Sequence, residues 1–365
     1  MPNFNGTLRS NEIFASLYNM IISQQVFADN IASTNSTLVD NARVDGGLYG
    51  DTKLYYSTDV LKSVPWGNDA EAANLLNLYR PDAPEVQAIT LDQFRQICLT
   101  VDNYLSKRAF SDEGSFSQFN SVMLGWIRDT KRIYDSTLYN SYIGTVETDE
   151  GKQEITITLP KETDESNSET EARNRLMAQA IATRVADLFV ELEDVSRDYN
   201  DYGNLRSYNR GDLIAVWNSE VVNKINKTDL PMIFHNEGLV EKLGEYTLPG
   251  RYFGKVNKTS GTAPISNDSV RSLVEKDFNS KHLFPGDLLP GGAAYGANET
   301  YTVDPTIAFK IMHRRSVPFM SAFEVGTSFF NPKSLTETHY LTFGHNTLEY
   351  LKNYPMITVR IKPAV

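Results

Sequence analysis

The sequence predicts an α+β chain organised around one long helix, and three observations carry that reading. The stretch from Ser115 to Gly144 repeats apolar residues at helical spacing. The last sixty residues contain several β-prone, alternating segments. Between them and the N-terminus lies a glycine-flanked, β-prone arm with no evident core face of its own.

The long helix is justified first. Ser115 and Gln118 form a Ser-x-x-Gln capping box, which satisfies orphan backbone donors at a helix start. Phe116, Phe119, Val122, Met123, Trp126, Ile127, Ile133, Tyr134, Leu138 and Tyr142 mark its apolar stripe. Gly144 is the expected stop, because glycine accepts the left-handed conformation common past a helix end. The helix would span roughly 40 Å and so must lie across a large sheet or along a subunit. Asp129, Lys131, Arg132 and Asp135 punctuate it, which excludes a membrane span.

Taken in order, residues 1–9 read as loose, and Ser10 caps a helix with Ile13, Phe14, Leu17 and Ile21 on its apolar face. A polar stretch from Ser33 to Ser36 ends it. Gly46, Gly47 and Gly50 precede KLYYSTDVLKSVPW, where neither parity forms a clear core face. That pattern suits an arm buried on a neighbour, and an ordinary surface hairpin fits it equally. Thr90 and Gln93 form a second capping box, which predicts a helix with Phe94, Ile97, Val101, Tyr104 and Leu105 inward and Cys98 buried beside them.

After the long helix, Ile155, Ile157 and Leu159 alternate as a half-buried strand. Ser168 and Glu171 cap a third helix running to about Val195, with Leu176, Met177, Ala180, Ile181, Val185, Leu188, Phe189 and Leu192 as its stripe. DLIAVWNS and RYFGKVN read as strands, and short helices are expected at Val221–Ile225, Leu239–Leu243 and from Asp268 or Ser269 to Phe278. The glycine- and proline-rich stretch Phe284–Asn298 reads as a long loop. FKIMHRRS, SAFEVGTSFF, HYLTFGH and PMITVRIKP read as the closing strands.

The totals narrow the function classes. A chain of 365 residues has room for two or three domains, and its net charge of -11 argues against a surface built to grip phosphate backbones. One cysteine excludes an internal disulfide framework or a cysteine-rich zinc site. No secretory h-region follows Met1, and no apolar run is long enough to cross a membrane as a helix. Dinucleotide, P-loop, nucleophile-elbow and His-Glu-x-x-His patterns are all absent. His339 and His345 would share a strand face as candidate metal ligands, but no third ligand is indicated and a structural pair is the expectation. Glu191 with Glu193 and Asp149 with Glu150 read as solvated charge rather than an acid/base pair. The 19 tyrosines suit large subunit contacts, offering area and a polar tip at low entropy cost.

Two stretches carry a family resemblance. SFSQFNSVMLGWIRDTKRIYDSTLYNSYIG resembles the spine helix of the major capsid proteins of tailed double-stranded DNA phages, with the Hong Kong 97-type fold. LFVELEDVSRDYNDYGNLRSYNRGDLIAVWNSEVVNKINKTDLPMIF resembles their helix, loop and strand leading into the axial domain. The chain is most similar to the capsid proteins of small, short-tailed phages of Gram-positive bacteria.

The resemblance implies an N-terminal arm at 1–40, an extended loop at 41–85, a peripheral domain from 86–205 and 306–365, and an axial domain at 206–305. It implies pentamers and hexamers assembling into an icosahedral or prolate head around phage DNA, with a scaffolding protein during assembly and a portal protein at one vertex. The virion is the implied location, the host cytoplasm the place of assembly, and no membrane is involved. Subunit contacts are then expected at Lys53, Tyr55, Tyr56, Lys62, Pro285, Pro290 and Tyr295, and spine-helix packing at Phe119, Trp126, Ile127 and Tyr134. No catalytic residue, cofactor or metal is implied. No immunoglobulin-like domain precedes Val365 and no long scaffolding-like segment opens the sequence, so the resemblance implies that decoration and scaffolding would come from other proteins. The alternatives are another phage structural part, such as a portal or tail protein, and a hydrolase using His313 or His345 with a carboxylate.

Overall fold

The computed structural model describes residues 37–47, 50–63, 78, 80–102, 113–146, 153–159, 167–226, 244–258 and 299–363. The helices expected near Ser10, Leu239 and Ser269 lie outside these residues, as do the Phe284–Asn298 loop with Pro285, Pro290 and Tyr295, and the side chain of Phe119.

The chain runs α1 (Thr37–Ala42), β1 (Arg43–Asp45), β2 (Thr52–Ser57), β3 (Glu85–Asp102), α2 (Glu113–Thr145), β4 (Glu154–Leu159), α3 (Asn167–Glu193), β5 (Leu213–Asn218) and α4 (Ser219–Asn226). It continues through β6 (Gly244–Leu248), β7 (Gly254–Lys258), β8 (Glu299–Val303), β9 (Ile307–His313), β10 (Phe319–Asn331), β11 (Thr336–Asn346) and β12 (Met356–Pro363). Two five-stranded sheets form, in the orders β1-β10-β11-β3-β2 and β4-β12-β9-β5-β6, with β7-β8 as a separate ribbon. β5 and β6, from the stretch expected to be axial, thus share a sheet with β9 and β12 from the stretch expected to be peripheral.

The long helix α2 joins the two sheets. Near its middle, Met123 and the half-buried Trp126 pack against Leu99 and Val101 of β3. Further along, Tyr134, Leu138, Tyr139 and Ile143 share one core with Phe319 and Phe343 of the first sheet and with Val216, Met312 and Met356 of the second. Every residue from Tyr134 to Ser141 is buried, so the sequence's one-sided stripe becomes an all-round contact. Within this buried stretch the Tyr139 hydroxyl donates to the Val317 carbonyl at 3.0 Å. The opposite face of the second sheet packs on α3 through Leu188, Phe189, Phe309, Ile311 and Val359. The central strands β12, β9 and β5 of that sheet are therefore covered on both faces, which is why Ile307–His313 is buried throughout.

Several expectations are corrected. Gly144 is not the stop, since α2 continues to Thr145. The residue is needed for close approach instead, because a Cβ there would lie 1.9 Å from the Tyr252 carbonyl oxygen. Residues 90–102 form most of strand β3 and not a helix, so Thr90 and Gln93 are not a capping box. Cys98 is exposed on that strand. Helical spacing of Phe94, Ile97 and Val101 competes with the strand alternation Ile97, Leu99, Val101, and long antiparallel pairing with β11 decides it.

A bulge had hidden that alternation. His345 faces Gln93 and Asn346 faces Leu91, which leaves Asp92 as the extra residue. Its carboxylate accepts hydrogen bonds from the backbone N–H and the hydroxyl of Thr347, at 2.7 and 2.6 Å. The inserted residue swaps the faces of β3. Ile89 and Leu91 pack with Met320, Ala322 and Leu351, whereas Leu99 and Val101 pack with α2. Two smaller departures remain. Leu38, Val39 and Ala42 bury a short helix that the sequence did not suggest, and the RYFGKVN strand begins only at Gly254, after a 3-10 turn at Gly250–Tyr252.

Candidate functional site

For a chain whose sequence carries none of the catalytic motifs named above, the candidate site is the surface it offers to other molecules. The arm is the place to begin. Gly50, at φ 77°, makes the left-handed turn that feeds β2 into antiparallel pairing with the first third of β3, Tyr56 facing Val86 and Leu54 facing Ala88. The two faces of this pair differ in kind. On the odd face Lys53 bonds to the Asp45 carbonyl, Tyr55 packs against the Ile89–Leu91 cluster, and Ser57 is buried. This corrects the reading that neither parity has a core face. Lys53 and Ser57 are polar, so hydropathy concealed a face that is held by hydrogen bonds.

On the even face Leu54, Tyr56 and Val86 are 51%, 64% and 50% exposed, with Ala88 exposed beside them. Beyond the pair Val60 and Leu61 are open to solvent, and Lys62 lies 3.8 Å from Asp82, both well exposed. Of the expected contact residues, Lys53 and Tyr55 therefore meet their own chain, while Tyr56 and Lys62 remain available. The β10–β11 hairpin carries a second exposed group, Phe329, Phe330 and Leu335, the last in a left-handed conformation at φ 56°.

Of the expected spine-helix residues, Ile127 and Tyr134 are buried and Trp126 is half-buried. Beside Tyr134 lies a small polar cavity lined by Arg43, Lys131, Asp135, Glu324 and His345. Asp135 is buried between Arg43 at 3.0 Å and Lys131 at 3.1 Å. This network ties α2 to β1 and β10 of the first sheet, since Lys131 also reaches Glu324 at 3.5 Å. Nε2 of His345 pairs with the Tyr134 hydroxyl at 2.8 Å, and Nδ1 lies 2.9 Å from the Asn346 carbonyl. Burial lowers the pKa of this histidine and raises that of Tyr134. With Nδ1–H donating to the carbonyl, Nε2 accepts from the tyrosine, so His345 is a structural group with both nitrogens engaged.

His313 is held similarly. Its ring stacks on Tyr354 at 4.3 Å, the Arg315 N–H donates to Nδ1, and burial pushes its pKa down to about 4. Neither histidine ring is hydrogen-bonded to a carboxylate: His345 is engaged by Tyr134 and the Asn346 carbonyl, and Nδ1 of His313 accepts from Arg315. Among the described residues no group of three or more His, Cys, Asp or Glu is arranged to hold a metal ion. No described helix is long and apolar enough to cross a membrane.

Comparison with known proteins supplies the identity of this architecture. The capsid structure of Staphylococcus phage Andhra matches with a TM-score of 0.62 at 12% identity, covering 93% of this chain and 87% of that one. A chain from the structure of the head fiber and inner core protein gp22 of native bacteriophage P68 matches with a TM-score of 0.60 at 12% identity, covering 87% and 83%. Such low identities speak for the fold alone, which is the Hong Kong 97-type capsid fold. No curated protein sequence matches. A sequence profile of the Phi29-like phage major capsid proteins, however, matches residues 6–358. Nearly the whole chain lies inside that match, and the chain belongs to the Phi29-like phage major capsid protein family.

Proposed function

We propose that this capsid subunit builds its shell by laying the even face of the β2–β3 arm on a second copy of the chain. The observation that carries the reading is the contrast across that strand pair. One face is hydrogen-bonded and packed at home, and the other presents Leu54, Tyr56 and Val86 to solvent. Contiguous exposed apolar surface of this kind marks an interaction site more often than a monomer's ordinary skin. In this reading the extended loop spans 41–85, the N-terminal arm 1–40, the peripheral domain 86–205 and 306–365, and the axial domain 206–305. The Phe284–Asn298 loop, with Pro285, Pro290 and Tyr295, meets neighbours around five- and six-fold centres.

Pentamers and hexamers then close into a head around double-stranded DNA, with a scaffolding protein during assembly in the host cytoplasm and a portal protein at one vertex. The role is structural, with no catalysis. A net charge of -11 supports it, because an acidic subunit has no general attraction for the enclosed phosphate backbone. Electron microscopy of purified protein, alone and with scaffolding protein, tests the proposal. Rings or closed shells are expected, and a small, defined oligomer under every assembly condition would overturn it.

A further inference from the structure

The outer end of the β2–β3 pair is fastened to the subunit body by a set of hydrogen bonds. Ser57 ends β2, and Thr58 and Asp59 follow it. The Ser57 hydroxyl donates to Asn353 Oδ1 at 2.7 Å and accepts from Asn204 Nδ2 at 2.9 Å. Arg206 donates to Asn353 Oδ1 at 3.0 Å and also to the Thr58 carbonyl. Asp59 then receives the Leu205 N–H at 3.0 Å on one oxygen and Arg197 Nη1 at 2.7 Å on the other.

The loop that supplies these donors is itself rigidly framed. Ser196 and Arg206 exchange two backbone hydrogen bonds at 2.9 Å, and Arg197 also reaches the Gly203 carbonyl at 2.8 Å. The Asp201 N–H donates to the Lys352 carbonyl at 2.9 Å. The returning strand is held by the same neighbourhood, since Gln87 Nε2 donates to the Tyr350 carbonyl and Gln87 Oε1 accepts from the Lys352 N–H, at 2.9 and 3.0 Å. Both strands of the arm are thus fastened to two loops, 196–206 and 350–353. Immediately beyond, the Val60 N–H also donates to Asp59 Oδ1 at 2.8 Å, while the side chains of Val60 and Leu61 are exposed.

From this geometry we infer that Asp59 is a positioning residue for assembly, fixing the outer end of the β2–β3 pair, and with it the Leu54–Tyr56–Val86 face, through its bonds to Leu205 and Arg197. The inference rests on the reading that this face docks on a second copy. Loss of the clamp lets the end of the pair that carries Tyr56 and Val86 shift, which misplaces the contact face while leaving the subunit's core intact. The hydrogen bond from Leu205 and the charge of Arg197 hold the Asp59 carboxyl at a pKa of about 2, so the clamp is fully formed at neutral pH.

The test compares the parent with Asp59→Ala, Asp59→Asn and Arg197→Ala in scaffold-assisted assembly, scored by electron microscopy for closed particles and their diameter. The unfolding midpoint of each unassembled subunit is measured in parallel. Both alanine variants are expected to keep a midpoint within about 2 °C of the parent, as surface changes do, yet to lose closed particles in favour of open or irregular forms. Asp59→Asn retains an acceptor for Leu205 without the charge and is expected to fall between them and the parent. If Asp59→Ala does not fold, Arg197→Ala carries the test alone, because it leaves the Leu205 bond in place. Closed shells of parental diameter and yield from the folded alanine variants overturn the inference alone. Absence of shells from the parent overturns the shell reading itself.

Discussion

The buried half of α2 and the β2–β3 arm invert each other's chemistry. Between Tyr134 and Ser141 the helix takes Asp135, Ser136, Thr137, Asn140 and Ser141 out of water. On the arm, Leu54, Tyr56 and Val86 are left in it. Buried polar groups and exposed apolar patches are the two informative departures from an ordinary subunit. In the helix, the polarity of Asp135 and Tyr139 is resolved within the chain, by Arg43 and Lys131 around the carboxylate and by the Val317 carbonyl on the hydroxyl. On the arm, no described residue of the same chain covers the exposed face. The helix holds one subunit together, and the arm is the part that the proposed assembly gives to a second.

That comparison breaks most sharply at Tyr139. Its ring is fully buried where the two sheets meet, so Tyr139→Ala is expected to cost about 3–5 kcal/mol, read as a lower urea midpoint with an unchanged slope. A near-parental midpoint would mean that the helix does not pass through a common core. Asp135→Ala leaves Arg43 and Lys131 around an empty site. Because Arg43 is one-third exposed, the expected cost is about 2–3 kcal/mol rather than the full penalty of an orphaned buried charge. Arg43→Met with Asp135→Leu should recover part of that loss in the same denaturation experiment.

A smaller effect is expected from pH. Neutral His313 is required to accept the Arg315 N–H, and its folded pKa of about 4 lies below the ordinary 6.5. The unfolded chain therefore takes up this proton first as pH falls. The stability contribution is complete above about pH 6.5 and is lost as pH drops toward 4. His345, lowered in the same direction by burial, adds to the same window. Urea midpoints measured from pH 7.5 to 4 should fall, and His313→Gln should flatten part of the slope. An unchanged slope in that variant would assign the acid response elsewhere.

The smallest effect on the isolated subunit belongs to the arm. The triple change Leu54→Ser, Tyr56→Ser and Val86→Ser should alter subunit stability by only about 0.5 kcal/mol per site, since each side chain is already half in water. Its effect should appear in assembly, as loss of rings and shells in sedimentation velocity. Shells formed normally by this variant would remove the arm's even face from the interface.

The strongly periodic segments were legible in the sequence. The Ser115–Gly144 pattern, the stripe from Leu176 to Leu192 and the closing alternations each became the expected element. Local spacing suffices there because one face of each repeats for many residues. Residues 90–102 were illegible for a definite reason. Their apolar positions fit both periods, and the Asp92 bulge breaks the two-residue alternation that would have chosen the strand. Phe94 and Val101 were therefore assigned to one helix face, although they pack on opposite sides of a sheet.

The candidate site divides in the same way. Tyr56 stood out by residue type and is exposed, but the clamp around Asp59 carries no local pattern at all. Its partners lie 138 residues away at Arg197 and 146 away at Leu205, and Asn353 meets Ser57 across 296. By itself, then, the sequence determined the long helix, the strand-rich end and the want of a catalytic motif, because each is a property of neighbours along the chain. The tertiary structure alone decided the sheet orders, the face-switching bulge, the need for glycine at 144 and the grip on the arm. Those depend on which distant backbone groups find one another, and contact between residues far apart in sequence leaves no periodic trace in either partner.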